Sequence, residues 1–203
     1  MALRKTHLGL LATWIVIMVL GMAGLIAYQY RPGDPGNPAL QWPEQETVSL
    51  WRDAGCFTLV IAIHPRCSCS RATLNELAHI QRYTARTMKT YLLFNVPTGQ
   101  DDSWAETDLW GLSEGMVNTE RIVDRNGTLC DRFGAATSGF GMLYSENGEL
   151  LFAGGITGSR AHEGDNYGRQ AVIARVMGGE QHLPSGRAPV FGCSIDSTET
   201  AFK

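Results

Sequence analysis

The chain has 203 residues with a formal net charge of −3, and 18% of them are charged while 44% are hydrophobic. These values suit one ordinary globular domain with an appendage. Lys and Arg do not cluster outside the first few residues, which argues against a nucleic-acid binder. We therefore expect no nucleic acid among the partners of this protein.

The appendage is an apolar segment near the N-terminus. Residues 8–28 form a run of 21 positions without a charged side chain. As a helix they would span roughly 30 Å, the thickness of a bilayer core. Arg4 and Lys5 precede the run, so the positive-inside rule places the N-terminus in the cytoplasm. We interpret residues 1–29 as an uncleaved, single-pass anchor with the rest of the chain facing outward. In a bacterium this is an inner-membrane protein with a periplasmic domain.

A proline-rich stretch follows the apolar run. Four prolines fall among residues 31–43, a density that prevents a helix and is typical of a semi-rigid spacer. We therefore predict a linker over residues 30–43 and one domain over residues 44–203. All five cysteines lie in that domain, at Cys56, Cys67, Cys69, Cys130 and Cys193. An oxidising compartment favours disulfides, but an odd number leaves one cysteine over.

The domain shows strands and helices in alternation. Continuous apolar runs predict buried strands over residues 57–64 and 90–97. Helical composition marks residues 70–84, and Ser103 with Glu106 fits a capping box that opens a helix over residues 103–112. A strand over residues 121–125 and a short helix over residues 128–133 come next. Asn147-Gly148 predicts a hairpin, and a last helix begins near Asp165 or Asn166.

This order of elements predicts the fold. Strands separated by helices pair in parallel through right-handed crossovers, and the hairpin adds antiparallel strands. The result is an α/β domain with a thioredoxin-like fold, a central mixed sheet flanked by helices. Cys67 and Cys69 fall where the first long strand enters its helix. Functional groups gather at the carboxyl ends of strands in such sheets.

A family resemblance supports this interpretation. Residues 121–155, "RIVDRNGTLCDRFGAATSGFGMLYSENGELLFAGG", resemble the second half of membrane-anchored thioredoxins of the TlpA/ResA type, and "HPRCSCSRATLNEL" resembles their redox turn. With "HEGDN" and "PVFGC" included, the chain is more similar still to the thioredoxin-like proteins labelled RedB. The resemblance implies thiol–disulfide exchange with protein thiols and disulfides outside the cytoplasm. The sequence departs from the family pattern because Ser70 takes the place of the second cysteine, and Thr137-Ser138 stands where a cis-proline is normal. The nucleophile role of the family carries over to Cys67 only.

The residues around Cys67 fit that role. At a helix N-terminus the helix dipole and free N–H groups stabilise a thiolate, and Arg66 and Arg71 add positive charge nearby. Exchange also needs a resolving thiol, and two candidates stay open. A Cys67–Cys69 bridge closes a very small, strained ring, whereas Cys193 could fold back and resolve Cys67 with less strain.

The other cysteines have simpler interpretations. Cys56 is expected to be an inert buried thiol, and Cys130 either a buried thiol or the disulfide partner of Cys56. Cys193 could alternatively form a disulfide that pins the tail of the domain.

Metal handling is the competing function. Cys67, Cys69 and Cys193 are soft ligands, and with His64 and His162 they would suit Cu(I) or Zn. Structural zinc sites normally space their cysteine pairs by two to four residues, which the spacing here does not match. We therefore expect no cofactor in the preferred interpretation and copper in the alternative one.

Two further alternatives involve the polar segment of residues 158–169. It could merely cap the last helix through Asp165 or Asn166, or it could be a functional loop carrying His162 and Glu163. A hydrolase that uses Cys67 and His162 can be drawn, and so can an interaction module with structural cysteines. The preferred hypothesis is a membrane-anchored thiol–disulfide oxidoreductase in which Cys67 attacks and either Cys69 or Cys193 resolves.

Overall fold

A computed structural model of the chain describes residues 2–44, 50–53, 55–178 and 186–195. The chain divides into two compact units, Met1–Arg31 and Pro32–Lys203. The first unit holds one helix, α1 (Ala2–Gln29), and its part His7–Gln29 is long and apolar enough to cross a membrane. A signal sequence passes the same test of length and composition. The end of the predicted domain, residues 196–203, lies outside the described residues.

The second unit is built on a five-stranded sheet in the order β3-β2-β1-β4-β5. β1, β2 and β3 are parallel, while β4 pairs antiparallel with both β1 and β5. This is the predicted mixed sheet of a thioredoxin-like fold. The elements that form it are β1 (Phe57–Ile63), α2 (Ser68–Thr84), β2 (Met88–Val96), α3 (Asp108–Leu112), β3 (Thr119–Arg125), α4 (Thr128–Phe133), β4 (Phe140–Tyr144), β5 (Leu150–Gly155) and α5 (Tyr167–Val176).

Apolar side chains cover both faces of the sheet, as the continuous apolar runs predict. On one face Leu59 and Ile61 of β1 pack with Leu74 and Leu77 of α2 and with α5. On the other face the alternate residues of β1 pack with α4. Burying each large aliphatic side chain stabilises the fold by roughly 1.5–3 kcal/mol. The carboxyl end of β1, where α2 begins, is therefore held in place from both sides.

The stretch predicted to be a spacer instead packs on the domain over much of its length. Trp42 lies against the rings of Phe133 and Tyr144, with centroid distances of 5.0 and 5.3 Å. The Trp42 N–H donates to the Gly148 carbonyl at 2.8 Å, and the Leu40 carbonyl accepts from Leu150 N–H at 2.9 Å. Proline richness excluded a helix correctly, but it did not exclude an extended segment that hydrogen-bonds to the rim of the sheet.

One predicted helix is also corrected. Residues 103–112 do not form a single helix, because the chain makes a 3-10 turn at Asp102–Trp104 and then the short α3. Asp101, rather than a Ser103–Glu106 capping box, caps the turn, and its carboxylate accepts from Ser103 N–H at 2.9 Å. The remaining helices and strands agree with the predictions to within a few residues. α2 begins two residues early, which places Cys69 inside its first turn.

Candidate functional site

Cys67 is the N-cap residue of α2. Its backbone is extended, with φ −111° and ψ 125°, and its carbonyl accepts from Ser70 N–H at 3.1 Å. The turn before it is fixed by two contacts: the His64 carbonyl accepts from Cys67 N–H, and the Pro65 carbonyl accepts from the Thr107 hydroxyl at 3.0 Å. The buried end of β1 thus delivers one thiol to the positive end of a helix of 17 residues.

A second thiol arrives from the far end of the sequence. Residues 192–195 run antiparallel to residues 136–138, which precede β4. Ser138 N–H donates to the Cys193 carbonyl at 2.8 Å, and Ile195 N–H donates to the Ala136 carbonyl at 2.9 Å. This pairing brings Cys193 Sγ to 2.7 Å from Cys67 Sγ. Because a disulfide bond measures about 2.05 Å, a small side-chain movement would join the two sulfur atoms.

Ser138 lies between the two cysteines. Its hydroxyl accepts from Cys193 N–H at 3.0 Å and donates to Cys67 Sγ at 3.5 Å. Ser138 and Thr137 are buried. Hydrogen bonds from the thiols of Cys193 and then Cys69 hold the pKa of Cys67 well below its ordinary value, and burial opposes them. The Ser138 hydroxyl and the Ser70 N–H add to the lowering. These hydrogen bonds favour the thiolate form of Cys67.

Cys69 and Cys193 shift in the opposite direction. Donating to the Cys67 thiolate raises the pKa of each, and burial raises both further. The three shifts together favour a thiolate at Cys67 beside protonated thiols at Cys69 and Cys193, which makes Cys67 the attacking sulfur. Cys193 is exposed while Cys69 is buried, so the two candidate resolvers differ in their access to solvent.

The polar loop of residues 158–166 contacts both resolver candidates. The Ala161 N–H lies against the Cys69 thiol and partly lowers its pKa. The Arg160 guanidinium donates to the Gly192 carbonyl at 2.8 Å, directly before Cys193. Asn166 caps α5 by accepting from Arg169 N–H, which confirms one of the two predicted caps. The loop is therefore both a helix cap and part of the surroundings of the site.

A buried carboxylate on α2 holds this loop. Glu76 is 1% exposed, and it accepts from Gly164 N–H at 2.6 Å and from the Arg169 guanidinium at 2.7 Å. The Asn166 amide donates to its second oxygen at 3.3 Å. A buried carboxylate is stable only when it is paired and hydrogen-bonded in this way. Glu76 thus ties the loop and the start of α5 to the helix that carries the thiols.

The charged neighbours of Cys67 are arranged differently from expectation. The Arg71 guanidinium forms an ion pair with Asp108, and the Arg66 guanidinium stacks over the Trp104 ring at 3.6 Å. Both arginines line a groove of about 370 Å³ beside Cys67. Donated hydrogen bonds, rather than arginine charge, lead the lowering of the Cys67 pKa.

The residues of the metal alternative converge only in part. Burial lowers the pKa of His64, and its Nδ1 accepts from Arg66 N–H at 3.2 Å. His162 is exposed on the loop. Within the described ranges, no group of three or more His, Cys, Asp or Glu side chains is arranged to hold a metal ion.

The two remaining cysteines are not part of this site. Cys130 is fully buried in α4, and Cys56 lies partly buried just before β1. All five cysteines are free thiols, so the considered Cys56–Cys130 disulfide is not formed. Burial, followed by the charge of Asp124, raises the pKa of Cys130 well above its ordinary value.

Sequence reasoning missed three contributors to the site. Ser138 was named only as the position of a missing proline, and no role was given to Glu76 or Arg160. The sequence signal for Glu76 is its position between Leu74 and Leu77 on the apolar face of α2. A glutamate that is buried there needs a cationic partner. The signal for the tail was the glycine before Cys193 in "PVFGC".

Comparisons with known proteins support the fold. No protein-family model matches the sequence, and no curated protein matches it. An uncharacterized conserved protein from Geobacillus kaustophilus has a solved structure with 15% identity and a TM-score of 0.58, covering 85% of this chain and 95% of that one. A hypothetical protein from Sinorhizobium meliloti 1021 gives 17% identity and a TM-score of 0.58, covering 86% and 100%.

Solved structures that resemble the chain less closely include disulfide oxidoreductases. One is a secreted Mycobacterium tuberculosis disulfide oxidoreductase, with 13% identity and a TM-score of 0.41, covering 62% of this chain and 83% of that one. At these identities the likeness concerns the fold. The order and directions of the five strands make the fold of this chain thioredoxin-like.

Proposed function

We propose that this protein is a thiol–disulfide oxidoreductase in which Cys67 attacks and Cys193 resolves. The observation that carries the proposal is the approach of the two sulfur atoms to 2.7 Å across 126 residues of sequence. Thiol–disulfide exchange of this kind needs an attacking thiolate and a second cysteine that can reach the mixed disulfide it forms. Cys69 remains a third thiol that donates to the Cys67 thiolate, and its ring with Cys67 would be strained.

The Cys67–Cys193 pair can act in either direction, as a reductant or as an oxidant. As a reductant, the Cys67 thiolate attacks a substrate disulfide and releases one substrate thiol, and Cys193 then attacks Cys67 and releases the other. As an oxidant, the Cys67–Cys193 disulfide accepts two electrons from a substrate dithiol by the reverse steps. Protein thiols and disulfides are the proposed substrates.

We further propose that α1 anchors the protein in the membrane, with the thioredoxin-like domain facing outward. The apolar part of α1 has 23 residues, enough to span a bilayer, and Arg4 and Lys5 lie on its N-terminal side. Expression with and without residues 2–29 tests this directly. Membrane fractions should retain the full chain after a high-salt wash and lose the shortened one. Recovery of the full chain in the soluble fraction would contradict the anchor.

Counting free thiols tests the redox assignment. The full chain in detergent, with one of its cysteines replaced in turn, is oxidised, alkylated and analysed by mass spectrometry. Oxidation should remove two thiols in the unsubstituted protein and in Cys69→Ser. It should remove none in Cys67→Ser or Cys193→Ser. Loss of two thiols in Cys193→Ser but not in Cys69→Ser would instead make Cys69 the resolver.

The same assay tests the copper alternative. One equivalent of Cu(I) is added before oxidation, and the bound metal is measured after gel filtration. Under the redox proposal, the two thiols disappear on oxidation whether or not copper was added. Stoichiometric copper that shields Cys67, Cys69 and Cys193 from alkylation would move the protein to metal delivery.

A further inference from the structure

The C-terminal segment of the described domain does more than carry Cys193. It occupies the edge of the loop just before β4, where its main chain pairs with residues 136–138 through the Ser138 and Ile195 N–H groups. The Cys193 N–H adds a third contact, to the Ser138 hydroxyl at 3.0 Å. In these three contacts the segment uses only its own main-chain groups. Backbone pairing of this kind does not depend on which chain supplies the strand.

Position 192 of the segment nevertheless selects for glycine. A Cβ atom built on Gly192 would overlap the Ser138 carbonyl oxygen and lie 2.7 Å from the Ser138 hydroxyl. Both atoms belong to a buried residue that holds Cys67 and Cys193, so they cannot move aside without loosening the site. Any segment that pairs here in the same register must therefore have glycine directly before its cysteine.

The segment is held to the domain by buried side chains on both sides of Cys193. Val190 and Phe191 are 1% and 5% exposed, so they anchor the tail in the domain. A hydrogen bond from Gly155 N–H to the Pro189 carbonyl adds to this anchor. Beyond Phe191, Cys193 and Ser194 are exposed, whereas Gly192 and Ile195 are buried. Ile195 packs in the same cluster as Cys130 and Phe133 of α4, so the Ile195 side chain must leave this cluster when residues 192–195 detach and the preceding residues stay bound.

On the basis of the proposed function, we infer that the edge of residues 136–138 binds the substrate as an extended Gly-Cys segment. Residues 192–195 are its resident occupant, and the substrate must replace them. The partner class is a protein with an accessible, extended Gly-Cys sequence. Because one edge cannot pair with two strands at once, the substrate strand and the tail take turns at Cys67.

The alternation fits the exchange chemistry. With the substrate strand on the edge, the Cys67 thiolate attacks the cysteine sulfur of that strand, and the second substrate sulfur leaves as a thiolate. The tail then returns, and Cys193 loses its proton as it attacks Cys67 and expels the substrate strand. The negative charge of Cys67 thus passes to one substrate sulfur, and the proton of Cys193 passes to the other. The substrate disulfide is reduced by two electrons, and Cys67–Cys193 is oxidised by two.

A peptide copy of the tail provides the test. The protein is the full chain with Cys56→Ser, Cys69→Ser and Cys193→Ser, which leaves Cys67 and the buried Cys130. The probe is Pro-Val-Phe-Gly-Cys-Ser-Ile, with its cysteine joined by a disulfide to the chromophore thionitrobenzoate. The second probe has alanine in place of the glycine, and the third is a small aromatic disulfide without a peptide backbone.

We expect the glycine peptide to release the chromophore at least about tenfold faster than the alanine peptide, because overpacking one methyl group at a fixed contact is costly. Equal rates for the two peptides would overturn the inference. Failure of Cys67 to react even with the small disulfide would overturn both the inference and the proposed function. A normal rate with the small disulfide and equal peptide rates would overturn the inference alone and leave the proposed function intact.

A substitution in the chain provides the second measurement. Gly192→Ala is added to the protein that already carries Cys56→Ser, Cys69→Ser and Cys193→Ser. It should weaken the pairing of the tail, so the glycine peptide should release the chromophore several-fold faster. The matched control is Gly115→Ala, because a Cβ at Gly115 meets nothing within 4 Å. A rate for Gly192→Ala no higher than for the control would contradict displacement of the tail.

Discussion

Cys67 and Cys130 are both buried at the beginning of a helix, yet their thiols shift in opposite directions. Cys67 is 4% exposed and Cys130 is 0% exposed, so burial alone does not separate them. At Cys67 the nearby donors point at the sulfur, which lowers its pKa. At the start of α4 the Leu129 and Cys130 N–H groups donate to the Asp124 carboxylate, at 2.7 and 2.9 Å. The donors that separate the two sites are therefore mainly the thiols of Cys193 and Cys69 at Cys67, while at Cys130 burial and the charge of Asp124 favour the protonated thiol.

The largest expected effect is a difference in alkylation rate between the two cysteines. Native protein is treated with iodoacetamide, and modification is followed for each cysteine by mass spectrometry. We expect Cys67 to react at least about a hundredfold faster than Cys130 near neutral pH, because hydrogen bonds favour the thiolate form of Cys67 and burial favours the protonated form of Cys130. The Cys67 rate should stay flat where an ordinary thiol, with a pKa of about 8.5, still gains reactivity with rising pH.

The control for this comparison is the unfolded protein. In denaturant the two cysteines should react at similar rates, since the difference comes from the fold. Similar rates in the native state, or a Cys67 rate that rises with pH like that of a free thiol, would show that the donors do not stabilise a thiolate.

The next largest effect is expected at Asp124, whose carboxylate accepts hydrogen bonds from N–H groups at the start of α4. Asp124→Ala leaves the buried Cys130 N–H without its acceptor, and each unsatisfied buried group costs about 1–3 kcal/mol. We expect the free energy of unfolding to fall by about 2–4 kcal/mol in chemical denaturation. Asp131→Ala is the matched control, because Asp131 is an exposed carboxylate on the same helix.

The loss of unfolding free energy in Asp124→Ala should also depend on pH, in a direction set by the pKa of Asp124. Burial raises the pKa of Asp124 above that of the unfolded chain. A carboxyl with a raised folded-state pKa contributes stability at low pH, and that contribution is lost as pH rises through the folded-state value. The difference between the unsubstituted protein and Asp124→Ala should therefore be larger at acid pH than at neutral pH. The opposite trend would mean that the ionised carboxylate is the stabilising form.

The contrast between the two cysteines also shows what sequence reasoning could reach. β1, α2 and the hairpin were predicted because each is marked by local patterns of apolar residues and turns. Cys67 was placed at a helix start for the same reason. Cys193 was one of two candidate resolvers, but its contact with Cys67 spans 126 positions, and no local pattern decides between it and Cys69.

The errors have a common physical cause. Trp42 was assigned to a spacer because its neighbours are prolines, but its ring packs against residues that follow much later in the chain. Asp101 caps the turn in place of Ser103 because either side chain can accept from a free N–H, and only the path of the chain decides between them. Local chemistry predicts which elements form, whereas tertiary contacts decide which side chains meet.

The smallest effect is expected for Ser138→Ala, which tests how far one neutral hydrogen bond lowers the pKa of Cys67. Ser138→Ala removes one neutral donor to Cys67 but leaves the donors of Cys193, Cys69 and the helix start. Since one such hydrogen bond is worth about 0.5–1.5 kcal/mol, the Cys67 pKa should rise by up to about one unit. The pH at which the alkylation rate begins to fall should then move up by the same amount, while the rate at alkaline pH, where the thiol is ionised in both proteins, should not change. Ser68→Ala, at an exposed hydroxyl next to Cys67, is the control and should leave the profile unchanged. An equal fall at every pH would mean that Ser138 governs access to Cys67 rather than its charge.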